Sequence, residues 1–218
     1  FKLDIKDCLS SIIVFNHELI FPTRKQMDIT KINSIKSFLK RKRPKILIHL
    51  AGLSRPMIQH EKKISESINL NIVATSNLVN VCSEMKIKII YVSTSYVYPE
   101  KKGYHKETDP LLPWNNYGWS KLGGECAVQM YKNSLIIRAC VSEKPFLHKK
   151  AFANVKANFL YHDEAAQIIF KLINKKGIIN LGGSPQTIFS FAKKTSPNVK
   201  KINMKKHVLP KNLTINLI

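Results

Sequence analysis

The sequence predicts an α/β fold, a Rossmann-like doubly wound parallel sheet with helices on both faces. Four short apolar runs are typical of buried strands, at positions 45–51, 88–92, 135–137 and 178–181. Amphipathic stretches with helical periodicity alternate with these runs, at 31–42, 64–85, 114–131 and 162–175. Strands that alternate with helices pair in parallel, and the helices cover the sheet. The 218 residues fit one such domain, or one domain with a small second lobe.

The predicted fold is expected to carry a glycine-rich turn near the start of its sheet. A dinucleotide-binding fold carries a Gly-rich turn after its first strand, where backbone N–H groups approach a pyrophosphate. All eight glycines of this chain lie at or after Gly52, so that turn does not occur in it. We expect the first strand and its phosphate loop to precede Phe1. On this view Phe1–Ser11 is the remainder of the first helix and Ile12–Phe15 is the second strand or the approach to it.

The predicted helix at 64–85 has an asparagine on its apolar face. Positions 64, 68, 71, 75, 78 and 82 follow one another at spacings of three or four residues, which places them on one side of a helix. Asn71 must therefore find hydrogen-bond partners, since an unpaired buried amide costs about 1–3 kcal/mol. A core asparagine that bonds the backbone is one interpretation.

Three hydroxyl residues follow the predicted strand at 88–92. Ser93, Thr94 and Ser95 stand at its C-terminal end, which is where ligands bind in open α/β sheets. A hydroxyl there can hydrogen-bond a substrate carbonyl. Capping of the strand end explains these residues equally well.

Tyr117 and Lys121 lie four residues apart in the predicted helix at 114–131. Residues at this spacing share a helix face, so the ammonium group can stabilise a phenolate. A free tyrosine has a pKa of about 10, and lowering it by about 3 units takes about 4 kcal/mol. Taken alone, such a pair is more often a core tyrosine and a surface lysine. Gly123 and Gly124, in the same stretch, indicate either close packing or a helix end.

Seven motifs of the chain resemble, in order and approximate spacing, those of the extended short-chain dehydrogenases/reductases that act on nucleotide sugars. The motifs are Asp28–Thr30, His49–Gly52, Asn71–Thr75, Ser93–Val97, Tyr117–Lys121, Tyr161–Asp163 and Ile179–Gly183. The resemblance implies that Thr94 supplies a hydroxyl to the substrate, that Tyr117 is the acid/base and that Lys121 is its activator. It also implies a second interpretation of Asn71, as a member of the proton path.

The same resemblance implies a bound NADP or NAD. The cofactor-binding residues that it implies are Asp28 and Ile29, which border the adenine, and Leu50, Ala51 and Gly52. Arg24 stands near the end of the expected second strand. An arginine there suits the 2′-phosphate of NADP, whereas an acidic residue suits the ribose 2′-hydroxyl of NAD. Arg24 therefore favours NADP slightly, and the nearby Glu18 favours NAD.

Within the family, the chain most resembles the dTDP-4-dehydrorhamnose reductases, through its Ser-Thr-x-Tyr-Val motif and the run from Asn115 to Glu125. The implied function is the NAD(P)-dependent reduction of a 4-keto nucleotide sugar. The related 4,6-dehydratases carry an Asp-Glu pair after the threonine, where this chain has Ser95 and Tyr96. An epimerase of the same family and a relative that binds a nucleotide without turnover remain open.

We expect two parts in the chain. Residues 1–140 form an NAD(P)-binding, Rossmann-like domain that is incomplete at its N-terminus, and residues 141–218 form a reduced substrate lobe that adds a strand and helices to the sheet. The stretch from Arg138 to Tyr161 is shorter than the substrate-domain insertion of the family. The segment from Pro210 to Ile218 resembles the segment of the family that precedes its closing C-terminal helix. A homodimer is left open.

The chain is strongly basic, with a formal net charge of +22. A basic chain attracts polyanions such as nucleic acid. The excess is almost all lysine, and only five residues are arginine, which is preferred for bidentate reading of phosphate and guanine. A lysine-coated enzyme is therefore favoured over a protein that binds a specific nucleic acid.

The cysteines and histidines show no pattern of a metal site or a disulfide framework. The four cysteines have no paired spacing, and the seven histidines are dispersed. No secretory signal or long apolar span is visible. We therefore expect no metal and no membrane association, and nucleotide-sugar substrates imply a cytoplasmic location.

Overall fold

The structure, a computed structural model, describes residues 18–100, 103–205 and 209–217. The expectations for Phe1–Ser11 and Ile12–Phe15 lie outside the described residues. The strands in chain order are β1 (Ile46–His49), β2 (Lys88–Thr94), β3 (Ser134–Ala139), β4 (Val141–Ser142), β5 (Lys150–Phe152), β6 (Lys156–Ala157), β7 (Leu160–Tyr161), β8 (Gly177–Leu181), β9 (Gln186–Thr187) and β10 (Lys200–Ile202). The helices are α1 (Ile32–Lys42), α2 (Ile58–Lys62), α3 (Ile64–Ile68), α4 (Ala74–Glu84), α5 (Asn116–Gln129), α6 (His162–Lys171) and α7 (Ile188–Lys193).

The central sheet has four parallel strands in the order β1-β2-β3-β8. Every residue of β3 is buried, because helices cover both faces of the sheet. Ile136 of β3 packs on the face that α1, α4 and α5 cover, whereas Leu135 and Ile137 pack on the face that α6 covers. This alternation follows from the two-residue repeat of a strand. The predicted doubly wound parallel α/β fold is confirmed.

The helix predicted over 64–85 forms as α3 and α4, which a wide π-helical turn joins at Asn69–Val73. Such turns widen the helix locally and often occur at functional sites. Asn71 lies in this turn and is 1% exposed. Before the turn the predicted apolar face is wrong, because Ile64 and Ile68 are exposed. The wide turn shifts the helix periodicity, so only the part from Asn71 onward faces the core.

Gly123 and Gly124 lie inside α5, so the interpretation of these glycines as a helix end is wrong. A Cβ atom at Gly124 would lie 2.5 Å from Tyr91 Oη and 2.8 Å from the carbonyl oxygen of Asn71. A Cβ atom at Gly123 would lie 2.7 Å from the end of the Ile72 side chain. Close packing of α5 against β2 and the π turn therefore explains both residues.

Three pairs of short strands, together with α7, form the small lobe after β3. Strand β4 pairs with β7 and β5 with β10 in parallel, and β6 pairs with β9 antiparallel. Aromatic side chains fill the core of the lobe, among them Phe146, Tyr161 and Phe191. Strand β8 returns to the central sheet beside β3. The division of the chain between residues 140 and 141 stays a prediction.

A buried ion pair joins α5 to the sheet. Arg138 of β3 donates hydrogen bonds to both carboxylate oxygens of Glu125, the shortest at 2.9 Å. Arg138 also donates to Tyr98 Oη and to the carbonyl oxygen of Glu107, both at 3.0 Å. Tyr98 in turn donates to the side-chain oxygen of Asn180 in β8 at 2.8 Å. This network fixes the position of α5 relative to the carboxyl edge of the sheet.

No helix in the described part of the chain is long and apolar enough to cross a membrane. The described residues also contain no group of three or more His, Cys, Asp and Glu side chains that could hold a metal ion. Cys82 and Cys140 are buried free thiols, and Cys126 is an exposed one.

Candidate active site

Thr94 and Tyr117 meet at the carboxyl edge of the central sheet. Thr94 is the last residue of β2, and Tyr117 lies in the first turn of α5, which the side chain of Asn115 caps. The Thr94 hydroxyl lies close enough to Tyr117 to lower the pKa of its phenol. The Thr94 oxygen also accepts a hydrogen bond from the Tyr96 N–H at 3.2 Å. Its own proton is therefore available to Tyr117.

Burial raises the pKa of Tyr117 above its ordinary value, while the Thr94 hydroxyl and the charge of Arg55 counteract the rise. Tyr117 is therefore a protonated phenol at neutral pH. The residue keeps partial exposure, so a bound molecule can reach it. This direction differs from the sequence-based expectation, in which Lys121 lowers the pKa of Tyr117. The reason is that desolvation disfavours the charged phenolate.

Lys121 lies one helical turn after Tyr117 and is buried, so its interpretation as a surface lysine is wrong. Its Nζ atom lies 4.1 Å from the centroid of the Tyr91 ring. Tyr91 in turn stacks on His49, with ring centroids 5.3 Å apart. Burial lowers the pKa of Lys121 to about 7, which Glu125 partly opposes. Burial, with the charge of Lys121, also lowers the pKa of His49 to about 3, so this imidazole is neutral.

Asn71 ties three parts of the site together. Its amide accepts a hydrogen bond from the Leu53 N–H at 2.7 Å and donates to the Leu53 carbonyl oxygen and to Ser120 Oγ, both at 2.8 Å. Ser120 donates to the carbonyl oxygen of Tyr117 at 2.8 Å. A Cβ atom at Gly52 would lie 2.7 Å from Asn71 Oδ1, so this close approach requires glycine. Asn71 bonds the backbone, and its role in a proton path stays a prediction.

Arg55 is a cation that acts on Tyr117 from another part of the chain. It lies in the segment after β1 and forms an ion pair with Glu143, which follows β4. Burial is the main influence on the pKa values of Tyr96, Tyr117 and His162, and the charge of Arg55 lowers all three. The ion pair therefore links the segment after β1 to the small lobe beside the tyrosine.

Two buried nitrogen atoms near Tyr117, His60 Nε2 and Trp114 Nε1, lack a hydrogen-bond partner among the described residues. The His60 ring lies 5.1 Å from the Tyr117 ring, measured between centroids. The Trp114 ring lies 4.9 Å from Tyr96, which meets Tyr117 edge-on at 6.0 Å. Buried polar atoms without partners are rare in folded proteins. The surroundings of Tyr117 therefore contain polar atoms that the packing of the core does not require.

An open cavity of about 530 Å³ lies between the segment 24–30 and the π turn. Its lining consists of Arg24, Thr30, Glu66, Asn69, Leu70 and Val73. Asp28, beside it, accepts hydrogen bonds from the Thr30 N–H at 3.0 Å and from Thr30 Oγ1 at 2.7 Å, and it pairs with Arg24 at 3.6 Å. These contacts, those of Thr30 first, lower the pKa of Asp28. An apolar wall beside a cation and a hydroxyl fits the adenosine part of NADP or NAD.

The other residues expected to bind the cofactor lie on two segments. Ile29 packs its side chain against the core, and its carbonyl oxygen accepts a long hydrogen bond from Asn77 at 3.4 Å. Leu50, Ala51 and Gly52 directly follow β1, at the carboxyl edge of the sheet, and the last two are exposed. Contact of these residues with a cofactor stays a prediction.

The family model described as "RmlD substrate binding domain" matches residues 9–168. The match covers well over half of the chain. The chain belongs to the RmlD substrate-binding domain family. This membership confirms the resemblance inferred from the motifs, and most of the residues discussed above lie within the matched range.

Individual relatives of this RmlD-family chain carry different names. The "Methionine adenosyltransferase 2 subunit beta" of Xenopus laevis is 33% identical over 109 residues, which are 50% of this chain and 32% of the relative. A dTDP-4-dehydrorhamnose reductase of Aggregatibacter actinomycetemcomitans is 28% identical over 134 residues, 60% of this chain and 45% of the relative. The matches thus span less than half the length of these curated relatives. The crystal structure of a Bacillus anthracis dTDP-4-dehydrorhamnose reductase in complex with NADP superposes with a TM-score of 0.84 at 23% identity, covering 96% of this chain and 84% of that one, which shows the shared fold.

Sequence reasoning missed two side chains that act on Tyr117 in this RmlD-family chain, Arg55 and His60. Both lie in the segment between β1 and α3, which carries no periodic pattern long enough to predict their direction. One signal was present, since Arg55 is one of only five arginines and stands three residues after the predicted cofactor residue Gly52. His60 had no comparable signal, because a single histidine in a short helix is most often a core residue.

Proposed function

We propose that this RmlD-family chain catalyses the NAD(P)H-dependent reduction of a 4-keto nucleotide sugar. The observation that carries the proposal is the place of Thr94, at the end of β2, beside Tyr117, in the first turn of α5, at the carboxyl edge of the sheet. This arrangement pairs a neutral phenol that can give up a proton with a hydroxyl that can orient a carbonyl group. The similarity to a dTDP-4-dehydrorhamnose reductase supports a 4-keto sugar as the substrate class.

In the proposed reaction, the carbonyl oxygen of the sugar accepts hydrogen bonds from Tyr117 and Thr94. Bound NADPH or NADH supplies the hydride that reduces the carbonyl carbon. As negative charge develops on the carbonyl oxygen, Tyr117 donates its proton to that oxygen, and Thr94 continues to hydrogen-bond it. The positive charge of Arg55 stabilises the phenolate that remains, and Lys121 adds to this effect where its amine is protonated. Asn71 keeps Ser120, and through it the backbone of Tyr117, in place.

The cofactor in this proposal is NADP or NAD, with NADP slightly favoured. Arg24 and Thr30 line the open cavity and would hold the phosphate and ribose groups, while Leu70 and Val73 would face the adenine. Asp28 keeps Arg24 at the rim through their ion pair. A guanidinium group with an exposed edge suits the 2′-phosphate that only NADP carries.

The test is cofactor oxidation, followed by absorbance, with dTDP-4-dehydrorhamnose and related 4-keto nucleotide sugars. We expect oxidation coupled to formation of the 4-hydroxy sugar, which mass spectrometry identifies. Thr94→Val should lower the rate by at least about tenfold, because the carbonyl loses one hydrogen-bond donor. His148→Gln, at an exposed histidine of the small lobe, is the matched control and should leave the rate unchanged. No oxidation by the wild-type protein with any of these sugars would contradict the proposal.

A second candidate is a nucleotide-binding subunit without turnover. It is favoured by one observation, the 33% identity with a protein that is named a subunit of methionine adenosyltransferase. The two candidates differ in what they require of the site, since a binding subunit has no use for a protonated Tyr117 beside Thr94. Cofactor binding without turnover of any nucleotide sugar would favour the subunit. Interconversion of two sugar epimers without net cofactor oxidation would instead indicate an epimerase.

A further inference from the structure

Two other rings pack against the ring of Tyr117. Tyr96 meets it edge-on, with centroids 6.0 Å apart and an interplanar angle of 86°. His60 packs against it more closely, with centroids 5.1 Å apart and an angle of 58°. His60 belongs to α2 and is 1% exposed. A side chain with no periodic signal in the sequence is therefore the closest aromatic neighbour that the structure gives Tyr117.

His60 is itself fixed in position by a hydrogen bond. Its Nδ1 atom lies 2.7 Å from Ser67 Oγ of α3, and both groups are buried. A phenylalanine would fill the same volume but could slide or turn, whereas the bond to Ser67 sets both the position and the rotation of the imidazole. This bond is a reason for a histidine at position 60. The other ring nitrogen, Nε2, has no partner of hydrogen-bonding geometry among the described residues.

Helix α2 is also joined to the residue that precedes Tyr117. The side-chain amide of Asn116 donates to the carboxylate of Glu61 at 2.7 Å and to the carbonyl oxygen of His60 at 3.4 Å. The short helix therefore contacts the first turn of α5 twice, once through Asn116 and once through the two rings. A shift of α2 would move the Tyr117 ring with it.

The His60 imidazole is neutral in this position. Burial lowers its pKa, and the nearby backbone of Ser54 and the charge of Glu61 only partly oppose this. A neutral ring adds no second positive charge beside Arg55, so it packs on Tyr117 without disturbing the electrostatics of the phenol. His60 therefore acts on Tyr117 by contact rather than by charge.

We propose that His60 is a positioning residue, which holds the ring of Tyr117 in the orientation in which its hydroxyl meets Thr94, and that Ser67 fixes His60 for this task. The proposal rests on the proposed function in one respect, since it treats Tyr117 as the group that transfers the proton. His60 touches neither the carbonyl nor the cofactor in this account. Its removal should therefore change the reaction rate and leave ligand affinity unchanged.

The first test compares kcat and KM for variants that separate the ring from the tether. His60→Ala removes both, and we expect kcat to fall by about tenfold to a hundredfold with KM within about twofold, because small displacements of a reacting group have effects of this size. His60→Phe keeps a ring but loses the tether to Ser67, so kcat should fall by about threefold to tenfold, less than in the alanine variant. His60→Asn keeps a group that can bond Ser67 but has no ring, and it should resemble the alanine variant. His148→Ala is the control, an exposed histidine on the small lobe.

Ser67→Ala keeps the His60 ring and removes only its tether, so it tests the proposal even where a His60 variant fails to fold. We expect a fall in kcat of about threefold to tenfold and an unchanged KM. Thermal unfolding identifies variants whose fold is lost. A higher KM with an unchanged kcat in His60→Ala would show that His60 contacts the substrate, and an unchanged kcat in both His60→Ala and Ser67→Ala would show that it positions nothing. Either result overturns the proposal.

The second test does not depend on turnover. Tyrosines are replaced by 3-fluorotyrosine, and the fluorine resonance of Tyr117 is assigned with Tyr117→Phe. We expect one narrow resonance in the wild-type protein that shifts and broadens most in His60→Ala and less in His60→Phe, which keeps a ring but loses the tether to Ser67. An unchanged resonance in His60→Ala overturns the proposal. A resonance that responds in a protein that reduces no 4-keto sugar would support the positioning role while contradicting the proposed function.

Discussion

The tyrosine end and the adenine end of the proposed site are built in different ways. Tyr117 contacts His60 of α2 together with Thr94 and Tyr96 at the end of β2, all of them more than 20 positions away in the sequence. Asp28, in contrast, is bonded within its own segment, by residues no more than six positions away. Long-range packing therefore orients the tyrosine end before any ligand binds, whereas the charged side chains of the adenine end, Arg24 and Asp28, are held by local contacts beside an open cavity.

Exposure follows the same division. Lys121 is 7% exposed at the tyrosine end, whereas the side chain of Arg24 is 79% exposed at the adenine end. Charges that are buried change pKa values and stability, while exposed charges are screened by water and salt. Substitutions near Tyr117 should therefore affect chemistry and folding, and those near Arg24 should affect ligand binding alone.

The largest effect is expected from Tyr117→Phe, which removes only the transferable proton. We expect turnover to fall by about a hundredfold to ten-thousandfold, the usual contribution of a general acid. Cofactor affinity should stay the same, because the adenine end is separate from this side chain. Single-turnover cofactor oxidation and calorimetric titration measure the two quantities. A variant with a near wild-type rate would remove Tyr117 from the mechanism, and lost cofactor affinity would show that the two ends are not independent.

Glu125→Gln tests whether long-range packing supports the tyrosine end. The substitution leaves the buried charge of Arg138 uncompensated, and breaking such a pair costs about 3–5 kcal/mol of unfolding free energy. Glu84→Gln is the matched control, because its ion pair with Lys36 is exposed and is expected to contribute at most about 1 kcal/mol. Urea unfolding of both variants gives the comparison. Similar losses of unfolding free energy in the two variants would mean that burial of an ion pair does not determine how much it contributes to stability.

The sequence predicted the parts of the site that local periodicity controls. Helical spacing drew attention to Tyr117 and Lys121, and the resemblance to the nucleotide-sugar family selected Thr94 from three hydroxyl residues at a strand end. Arg55 and His60 could not be predicted, because the chain between β1 and α3 reaches Tyr117 only through long-range contacts. The periodicity also failed before Asn71, where the π turn shifts the helix face. Local patterns together with the family resemblance thus pointed to the proposed reacting groups but not to the groups that surround them.

Gly124→Ala tests how closely the tyrosine end is packed. The new Cβ atom would lie 2.5 Å from Tyr91 Oη and 2.8 Å from the Asn71 carbonyl oxygen, and overpacking of this kind costs about 1–3 kcal/mol. Gly123→Ala is the control, because its new atom meets only the end of the Ile72 side chain, which can move. Both variants gain the same helix propensity, so their difference in thermal stability reports packing. Equal stabilities would indicate spare room beside β2.

Lys121 should make stability depend on pH in the absence of ligand. The pKa of its ammonium group is about 7 in the folded protein and about 10.4 in an unfolded chain. Between these values the unfolded state binds one more proton, so the unfolding free energy rises with pH by up to about 1.4 kcal/mol per pH unit. Below pH 7 both states are protonated and this dependence disappears.

The measurement is urea unfolding of the wild-type protein and of Lys121→Met between pH 6 and pH 9. We expect the wild-type protein to gain stability relative to Lys121→Met as the pH rises above 7, since the variant has no ammonium group to desolvate. Lys171→Met, at an exposed lysine of α6, should keep the wild-type dependence. A difference between wild type and Lys121→Met that stays constant over this range would mean that Lys121 keeps an ordinary pKa despite its burial.

The smallest effect is expected at the adenine end, from Arg24→Met. Because Arg24 is exposed and pairs only locally with Asp28, its removal should change the unfolding free energy by less than about 1 kcal/mol. If Arg24 binds the 2′-phosphate, NADPH affinity should fall by up to about tenfold, or about 1.4 kcal/mol, while NADH affinity is unchanged.

The NADPH affinity of the wild-type protein should also weaken with salt, because the charge of Arg24 is exposed and is screened by salt. Calorimetric titration with both cofactors at two salt concentrations tests this, with Arg41→Met on α1 as the control for loss of one exposed arginine. Equal losses for NADPH and NADH would show that Arg24 supports the cavity without distinguishing the cofactors, and a large loss of stability would mean that the adenine end, too, depends on contacts beyond its own segment.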